Sequence, residues 1–312
     1  MQNVEFINMM ATFGATPDLL SCDEREALDR DGYLVLAPDS EFYDGLGVSM
    51  EDIRETLDRL TAEEGWRGGS EGREDFVTPN KPIDPGSDRL KNLINKAPIF
   101  LKFISHPKVL AAVHQIIARP FKSSGVEMRS PKMGSGEQQI HIDWLPRTKA
   151  DDPYPMVIVG FYIDGMSKDC GALRVMPGTH RTHLDWPNEH INVLERQSEE
   201  IQVEVPPGSI VVLNSHTWHG GARNNSGRPR RTIYIDYRDR VLKQALNQKH
   251  FLSPETVATL NEAEQYLLAV RPTDPTDETL VMGMGAAYRA RYGDCYIPLE
   301  GPVAGHSENN KT

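Results

Sequence analysis

The pattern of apolar and polar residues divides the chain into three parts. Residues 1–125 are predicted to be mainly helical, and residues 126–240 contain short β-rich runs separated by turn residues. Residues 241–312 are predicted to form a helical segment followed by a polar tail. Many short strands in series favour a sandwich or a barrel. We therefore predict one domain over 1–312, mainly β with flanking helices.

In the first part, capping residues and prolines mark where helices begin. Ser49 is predicted to cap a helix through about Glu64, with Asp52 completing a capping box. The other predicted elements are a helix over about Glu24–Arg30 capped by Asp23, the strand Tyr33–Leu36 after Gly32, and helices over about Leu90–Ile94 and Pro107–Ala118.

In the middle part, β-branched and aromatic residues cluster in short runs between turn signals such as Pro206-Pro207-Gly208. The predicted strands are Val126–Arg129, Gln138–Asp143, Met156–Ile163, Ala172–Met176, Ile201–Val205, Ile210–Asn214 and Arg231–Tyr237.

In the last part, Ser253 is predicted to cap a helix over about Pro254–Val270.

Charge and cysteine content narrow the partners and the compartment. The net charge of -11 gives an acidic surface that repels phosphate backbones, so nucleic acid is not expected as a partner. The apolar runs are too short to span a bilayer, and no secretory leader is recognised, so no membrane association is expected. Cys22, Cys170 and Cys295 lie far apart, which favours a reducing, cytoplasmic location.

A candidate metal site combines a triplet with a distant histidine. On a strand, His141 and Asp143 would project from the same face, because side chains alternate. His216 and His219 compete as third ligand, and His219 is favoured because two glycines follow it and allow a ligand to approach closely. Two histidines and one carboxylate with open positions are diagnostic of non-heme Fe(II) oxygenases. An isolated His-x-Asp triplet, however, is more often a solvated or core pair.

An arginine downstream could bind a carboxylate. Arg230 and Thr232 are two residues apart on a predicted strand, so they share a face. A guanidinium matches a carboxylate in a bidentate geometry, and a neighbouring hydroxyl can donate a further hydrogen bond. The pair could anchor a dicarboxylic cosubstrate. The alternative is that Arg228, Arg230 and Arg231 form a solvated basic cluster.

The order of these motifs resembles the phytanoyl-CoA dioxygenase family of Fe(II)/2-oxoglutarate oxygenases over roughly residues 23–240. The family pattern has a metal-binding His-x-Asp, then G-x-L-x-x-x-P-G-[ST]-H, which Gly171–His180 matches as GALRVMPGTH. A distal histidine, small residues, an asparagine and an arginine eleven places on then follow, which matches His219, Asn224 and Arg230.

The resemblance implies a double-stranded β-helix core, of jelly-roll or cupin-like form, with flanking helices. It implies that His141, Asp143 and His219 bind the metal, and that Arg230, helped by Thr232, binds the far carboxylate of 2-oxoglutarate. The expected cofactors are Fe(II), 2-oxoglutarate and O2, with release of succinate and CO2. In related halogenases glycine or alanine replaces the carboxylate, so Asp143 favours hydroxylation or another oxidation.

Further residues are candidates for the pocket. Lys132 and Gln139 are predicted near the cosubstrate, although a solvated loop position is an equal alternative for Lys132. Trp144, Arg129 and Arg147 are predicted at the substrate, with a core role as the alternative for Trp144. Three segments are expected to shape the pocket: Gly65–Asn80, Trp144–Pro155 and His183–Glu200.

The expected substrate is a small molecule or natural product, and no coenzyme A signal is recognised. Its identity, the oxidative outcome and the oligomeric state stay open. Two other functions are compatible with the residues: a cupin-like metalloenzyme that does not use 2-oxoglutarate, and a non-catalytic ligand-binding β-barrel.

Overall fold

The computed structural model describes residues 4–65 and 86–275. All but the first residue of the predicted loop Gly65–Asn80, and the tail beyond 275, lie outside these residues. The described strands are β1 Tyr33–Leu36, β2 Ser87–Leu90, β3 Phe121–Pro131, β4 Met156–Tyr162, β5 Leu173–Met176, β6 Ile201–Val203, β7 Ser209–Asn214, β8 Trp218–Gly221 and β9 Thr232–Asp239. The helices are α1 Val4–Thr12, α2 Cys22–Asp31, α3 Ser40–Gly45, α4 Met50–Glu64, α5 Pro107–Ile117, α6 Thr179–Thr182, α7 Gln248–Phe251, α8 Pro254–Thr259 and α9 Glu262–Leu268.

The strands form two antiparallel sheets. The larger sheet has the order β1-β7-β4-β9-β3-β2, and the smaller has the order β6-β5-β8. Tyr162 and Val211 of the larger sheet pack against Leu173, Val175 and Val203 of the smaller one, so the sheets lie face to face. The predicted β core with flanking helices is confirmed.

The outer face of the larger sheet carries the main hydrophobic core. Alternation places Val157, Val159 and Phe161 of β4, with Ile233 and Ile235 of β9, on this face. All five are fully buried in one cluster with side chains of α4 and α5. Burial of each such side chain stabilises the fold by about 1.5–3 kcal/mol.

The inner face of the same sheet is polar near β3 and β9. Residues that oppose one another in the register form rows across the strands, and three rows matter for the site. The first row is Arg129, Thr232, Tyr162 and Ser209; the second is Glu127, Tyr234, Gly160 and Val211; the third is Asp236, Ile158 and Leu213. The inner face therefore offers charged and phenolic groups to the space between the sheets.

Several predicted boundaries are correct. Strand β1 spans the predicted residues, and α4 begins after Ser49 with Asp52 completing the capping box. Gly32 ends α2 at a φ of 78°, a left-handed conformation that glycine adopts without a steric penalty. Within the described residues, every helix is too short or too polar to span a membrane.

Other predicted elements are wrong. The predicted helix over Leu90–Ile94 is the end of β2 followed by a short 3₁₀ turn at Leu93–Asn95. Ser21, not Asp23, caps α2, because Ser21 and Glu24 bind each other's backbone N–H groups. The predicted helix from Pro254 breaks after Thr259, because Asn261 caps a new helix with Glu264.

The predicted strand Gln138–Asp143 is not a regular strand either. It is an extended segment with one bridge, between His141 and His219. We call residues 138–143 the ligand segment. It lies beside β8, a strand that the sequence pattern did not predict.

Candidate metal and cosubstrate site

Main-chain hydrogen bonds join the ligand segment to β8. The N–H of His141 donates to the carbonyl of His219 at 2.8 Å, and the N–H of His219 donates back at 3.0 Å. The N–H of Asp143 donates to the carbonyl of Ser215 at 2.8 Å. Because paired residues on antiparallel chains project to the same side, the two histidines face one space.

Two glycines make this close pairing possible. A Cβ atom on Gly220 would lie 2.9 Å from the carbonyl oxygens of Gln138 and Gln139. A Cβ atom on Gly221 would lie 3.1 Å from the carbonyl oxygen of Gly136. The expectation that these glycines admit a bound ligand is therefore corrected, since the chain's own ligand segment occupies the space.

The predicted ligands converge. Nε2 of His141 lies 3.6 Å from Oδ1 of Asp143, and Nε2 of His219 lies 3.2 Å from Oδ2. One ligand atom from each residue lies within 4.8 Å of the others. Both histidines are buried, and Asp143 is largely buried. The structure thus places three metal-ligand side chains around one point.

Backbone carbonyls orient both imidazole rings. Nδ1 of His141 donates to the carbonyl of Gln139 at 2.8 Å, and Nδ1 of His219 donates to the carbonyl of Thr217 at 2.9 Å. A carbonyl oxygen only accepts, so the proton is on Nδ1. The Nε2 atoms are then the ligand atoms, and such a second hydrogen bond is usual for metal-binding histidines.

Asp143 remains ionised in this setting. Burial acts to raise its pKa, but the two imidazoles outweigh burial and hold the pKa of Asp143 well below its usual range. Burial likewise acts to lower the pKa of His219, but Asp143 raises it. Two imidazoles and one carboxylate, with no thiolate, form a donor set that suits Fe(II).

His216, the competing third ligand, is turned away from this point. Its Nε2 donates to the carbonyl of Leu145 at 2.9 Å, and its Nδ1 lies 3.3 Å from the hydroxyl of Ser215. Burial lowers the pKa of His216 to about 4, so the ring is neutral at pH 7. His216 braces the chain that follows Asp143.

Arg230 is a buried cation that points between the sheets. It is only 2% exposed, and it forms no ion pair with a carboxylate of the described residues. Its Nη1 lies 3.7 Å from Sδ of Met166, and its Nε and the hydroxyl of Thr232 are buried without a hydrogen-bond partner. A buried cation normally requires a partner. These atoms therefore fit an anion from outside the protein.

The two neighbouring arginines behave differently. Arg228 is exposed and pairs with Asp169 at 2.7 Å. Arg231 pairs with Asp58 at 2.7 Å and with Asp164 at 2.8 Å. The alternative of a solvated basic cluster therefore does not hold for Arg230, which faces inward.

The two other predicted cosubstrate residues lie elsewhere or act through the backbone. Lys132 is a correction, because its side chain is 51% exposed and its Nζ pairs with Asp88 at 3.1 Å. The chain turns outward after β3, which carries this lysine to the surface. Gln139 is buried, and its carbonyl accepts the hydrogen bond from His141. A contact of its side chain with the cosubstrate stays a prediction.

The three predicted substrate residues separate in space. Trp144 is buried, and the guanidinium of Arg238 lies 5.2 Å from its ring centre. Arg129 lies in the first row opposite Thr232, and a substrate contact of Arg129 stays a prediction. A substrate contact of Trp144 stays a prediction.

Arg147 braces a loop. Its N–H groups donate to the carbonyls of Ala150, Asp152 and His180 at 2.6, 3.1 and 2.7 Å. Its guanidinium also lies 4.5 Å from the ring centre of Tyr154. These bonds fix the shape of the loop, but the Nε of Arg147 is buried without a hydrogen-bond partner, and a substrate contact of Arg147 stays a prediction.

Three inner-face residues were missed by the sequence reasoning: Tyr162, Tyr234 and Asp236. Tyr234 and Asp236 follow Thr232 at intervals of two, so alternation along β9 could have found them. Burial raises the pKa of Asp236, Arg238 acts against this, and the charges of Asp143 and Glu127 add to it. The third row therefore lies close to the candidate metal ligands.

Residues 28–232 match the family model of phytanoyl-CoA dioxygenase (PhyH). The chain belongs to this family. It is 23% identical over 297 residues to the ectoine dioxygenase of Bordetella bronchiseptica, an alignment that covers 84% of this chain and 88% of that protein. It is 25% identical over 187 residues to an uncharacterized protein of Mycobacterium tuberculosis, covering 57% of this chain and 66% of that protein's length.

Solved structures share the fold. HygX from Streptomyces hygroscopicus, crystallised with nickel and 2-oxoglutarate, superposes with a TM-score of 0.55 and 17% identity, covering 72% of this chain and 89% of HygX. SnoN, an α-ketoglutarate-dependent epimerase from nogalamycin biosynthesis, gives a TM-score of 0.51 and 16% identity, covering 70% and 80%. The predicted jelly-roll core is confirmed.

Proposed function

We propose that this protein is an Fe(II)- and 2-oxoglutarate-dependent dioxygenase that uses O2 to hydroxylate, or otherwise oxidise, an unactivated C–H bond of a small-molecule substrate. One observation carries the proposal: His141, Asp143 and His219 converge on one point, and the buried Arg230 has no carboxylate partner among the described residues. Family membership supports it.

The similar proteins agree with this assignment. Ectoine dioxygenase is named for a small molecule, and HygX was crystallised with nickel, 2-oxoglutarate and hygromycin B. SnoN is an epimerase, and the similarly folded SnoK is a carbocyclase. Because one fold carries these different outcomes, the position of the substrate relative to the metal decides the product. The presence of Asp143 as a third ligand argues against halogenation, and so favours hydroxylation or another oxidation.

Each residue has a distinct task in this proposal. Iron bound by His141, Asp143 and His219 would supply O2 activation coupled to the conversion of 2-oxoglutarate to succinate and CO2. Three protein ligands of this kind would leave other coordination positions of the ion open. Arg230 and Thr232 would hold the far carboxylate and so orient the cosubstrate.

The charged groups beside the metal ligands favour a polar substrate over a hydrocarbon chain. Asp236 pairs with Arg238 at 2.8 Å, and Glu127 pairs with Lys91. A hydrocarbon chain packed against these pairs would remove water from charged groups without replacing its hydrogen bonds, which is costly. Membership of this family therefore does not require an acyl substrate here.

Replacement of the carboxylate ligand tests the metal assignment. Asp143→Ala removes a ligand, so we expect Fe(II) affinity and succinate formation from 2-oxoglutarate to fall by more than about 100-fold. Equilibrium dialysis measures the iron, and chromatography measures the succinate. Asp185→Ala, which removes an exposed carboxylate beside His190, is the matched control. Full activity of Asp143→Ala would refute the ligand assignment.

A pair of arginine variants separates this function from a metalloenzyme without 2-oxoglutarate and from a non-catalytic barrel. Arg230→Gln should weaken 2-oxoglutarate binding by about 10-fold or more, because a charged hydrogen bond contributes about 1.5–3 kcal/mol. Arg228→Gln alters an exposed ion pair two residues away and should have no effect. Equal 2-oxoglutarate affinity in both variants would favour the other functions.

A further inference from the structure

The ligand segment is an irregular piece of chain that is held from two sides. On one side is β8, to which the N–H groups of Gln138 and His141 donate. On the other side, the N–H of Ile140 donates to the carbonyl of Val193 at 2.9 Å. Val193 belongs to residues 183–200, which join α6 to β6 and which we call the connecting segment. The position of His141 therefore depends on the connecting segment as well as on β8.

A buried ion pair fixes the end of the connecting segment. Glu200 is its last residue, and the side chain of Glu200 has no contact with solvent. Nε of Arg174 on β5 lies 3.1 Å from both carboxylate oxygens of Glu200, and Nη2 lies 2.7 Å from Oε2. Burial acts to raise the pKa of Glu200, but the hydrogen bond and the charge of Arg174 outweigh it and lower the pKa. The pair is therefore ionised, and its bidentate geometry restricts both side chains.

The same guanidinium reaches the ligand segment. Leu173 and Val175 of β5 face the larger sheet, so alternation places Arg174 on the outer face of the smaller sheet. Arg174 stands opposite Gly220 of β8 in the register, and its Nη1 donates to the carbonyl of Gln138 at 3.3 Å. A Cβ atom on Gly220 would lie 2.9 Å from that carbonyl oxygen, so the glycine keeps this acceptor within reach of Arg174.

This contact bears on a metal ligand through one peptide unit. Arg174 binds the carbonyl of Gln138, and the next carbonyl along the chain, that of Gln139, accepts the hydrogen bond from Nδ1 of His141 at 2.8 Å. Because each peptide unit is planar, a fixed carbonyl at Gln138 limits the rotation of the unit that follows. His219 differs, since its acceptor carbonyl immediately precedes the regular strand β8. The ring of His141 is therefore the one that needs support from outside the regular strands.

We propose that the buried pair of Arg174 and Glu200 positions the metal ligand His141 by fixing the ligand segment before the ion binds. This role rests on the proposed function. The two charged groups lie outside the ligand set, so Arg174 and Glu200 are positioning residues. One planar guanidinium binds Glu200 and Gln138 at the same time, which the point charge of a lysine cannot reproduce.

A double variant separates positioning from stability. Arg174→Met/Glu200→Leu replaces the buried pair with apolar side chains of similar size, a change that often leaves stability unchanged or raises it. Co(II) is the probe, because its visible absorption depends on the geometry of its ligands. We expect titration of the metal-free variant to give a Co(II) dissociation constant raised by about 10-fold or more, because supporting contacts of this kind tune metal affinity. The spectrum of bound Co(II) should change, while the urea midpoint should not fall.

Two further variants keep the test independent of folding. Arg174→Lys keeps a charge beside Glu200 but cannot also donate to Gln138, so we expect about 10-fold weaker Co(II) binding here too. Arg240→Met/Asp274→Leu removes another largely buried ion pair, which lies beside α9. This matched control should change the Co(II) affinity by less than about 2-fold, because distant sites act independently.

A third comparison tests the route through His141. If Arg174 acts through this ligand, Arg174→Lys should weaken Co(II) binding by less than about 2-fold when it is added to His141→Ala. When it is added to His219→Ala, the loss of about 10-fold should persist. Equal losses in the two backgrounds would overturn the inference.

The remaining outcomes separate this inference from the proposed function. If both Arg174 variants bind Co(II) as tightly as the unsubstituted protein, the inference is overturned and the proposed function stands. If Asp143→Ala also binds Co(II) as tightly, the ligand assignment fails and both are overturned. If the double variant loses stability together with Co(II) affinity while Arg174→Lys keeps both, the ion pair is only structural, which again overturns the inference.

Discussion

The two faces of the larger sheet have different roles: the outer face packs in the hydrophobic core, and the inner face borders the candidate site. The outer face presents Val159, Phe161 and Ile235 to the helices, and these side chains have no contact with solvent. The inner face, formed by the intervening residues of the same strands, presents Tyr234 and Asp236 to the candidate site. Stability and chemistry are thus assigned to alternate residues, so neighbours in sequence are expected to respond to substitution in different ways.

A substitution on the outer face should have the largest effect on stability. Phe161 is fully buried, and its ring lies 5.0 Å from Phe103 and 5.9 Å from Phe42. We expect Phe161→Ala to lower the free energy of unfolding by about 3–5 kcal/mol, because it leaves a cavity in the core. Urea denaturation followed by circular dichroism measures the change. A loss below about 1 kcal/mol would contradict the division between the faces.

The next largest effect on stability is expected at low pH, through the buried histidines His180 and His216. Burial lowers the pKa of His180 and of His216 to about 4. In the unfolded chain these histidines have pKa values near 6.5, so between pH 4 and 6.5 the unfolded chain binds more protons than the folded one. The free energy of unfolding is therefore highest above pH 6.5 and decreases as the pH falls toward 4. The loss can reach about 3 kcal/mol per histidine.

Two variants check this pH dependence. His216→Asn should reduce the slope of unfolding free energy against pH between 4 and 6.5, because one titrating group is removed. His180→Asn should reduce the slope as well, because burial also lowers the pKa of His180. A slope equal to that of the unsubstituted protein in both variants would show that the two histidines are not held neutral.

An added methyl group on the inner face should affect binding as well as stability. A Cβ atom on Gly160 would press on the rings of Tyr162 and Tyr234 and lie 3.2 Å from Cγ2 of Thr232. We expect Gly160→Ala to cost about 1–3 kcal/mol of stability and to weaken 2-oxoglutarate binding severalfold. Denaturation and calorimetry measure the two effects. An unchanged affinity would show that Thr232 does not help to bind the cosubstrate.

The smallest effect is expected at Lys132. Its side chain is exposed and paired with Asp88 on the surface. Lys132→Ala should change 2-oxoglutarate affinity by less than about 2-fold and stability by less than about 0.5 kcal/mol. The same titration and denaturation experiments check both values. A large loss of affinity would restore the prediction that Lys132 binds the cosubstrate.

The sequence predicted best those features that depend on local patterns. Alternating apolar residues indicated β4, β7 and β9, and capping residues indicated α4. The ligand triad was predicted from the order of motifs, and the structure brings its three members together. These signals are local, or are repeated in the family, and do not require knowledge of the tertiary packing.

The missed features depend on contacts between distant segments. Strand β8 contains Gly220 and Gly221, which are unfavourable in strands, and it forms because it pairs with β5 on one side and lies against the ligand segment on the other. Arg230 and Arg231 are adjacent basic residues, and only the fold shows which one faces inward. The same holds for Lys132, whose direction is set by the turn after β3.

The bridge between His141 and His219 has a consequence for handling the protein. Four features hold the rings in place without any ion: two reciprocal main-chain hydrogen bonds and two carbonyl acceptors at Nδ1. Stripping the ion should therefore leave the architecture intact. The protein could be prepared empty by chelation and reconstituted with zinc, which has no redox chemistry and would give an inert form for trapping complexes of cosubstrate and substrate in air.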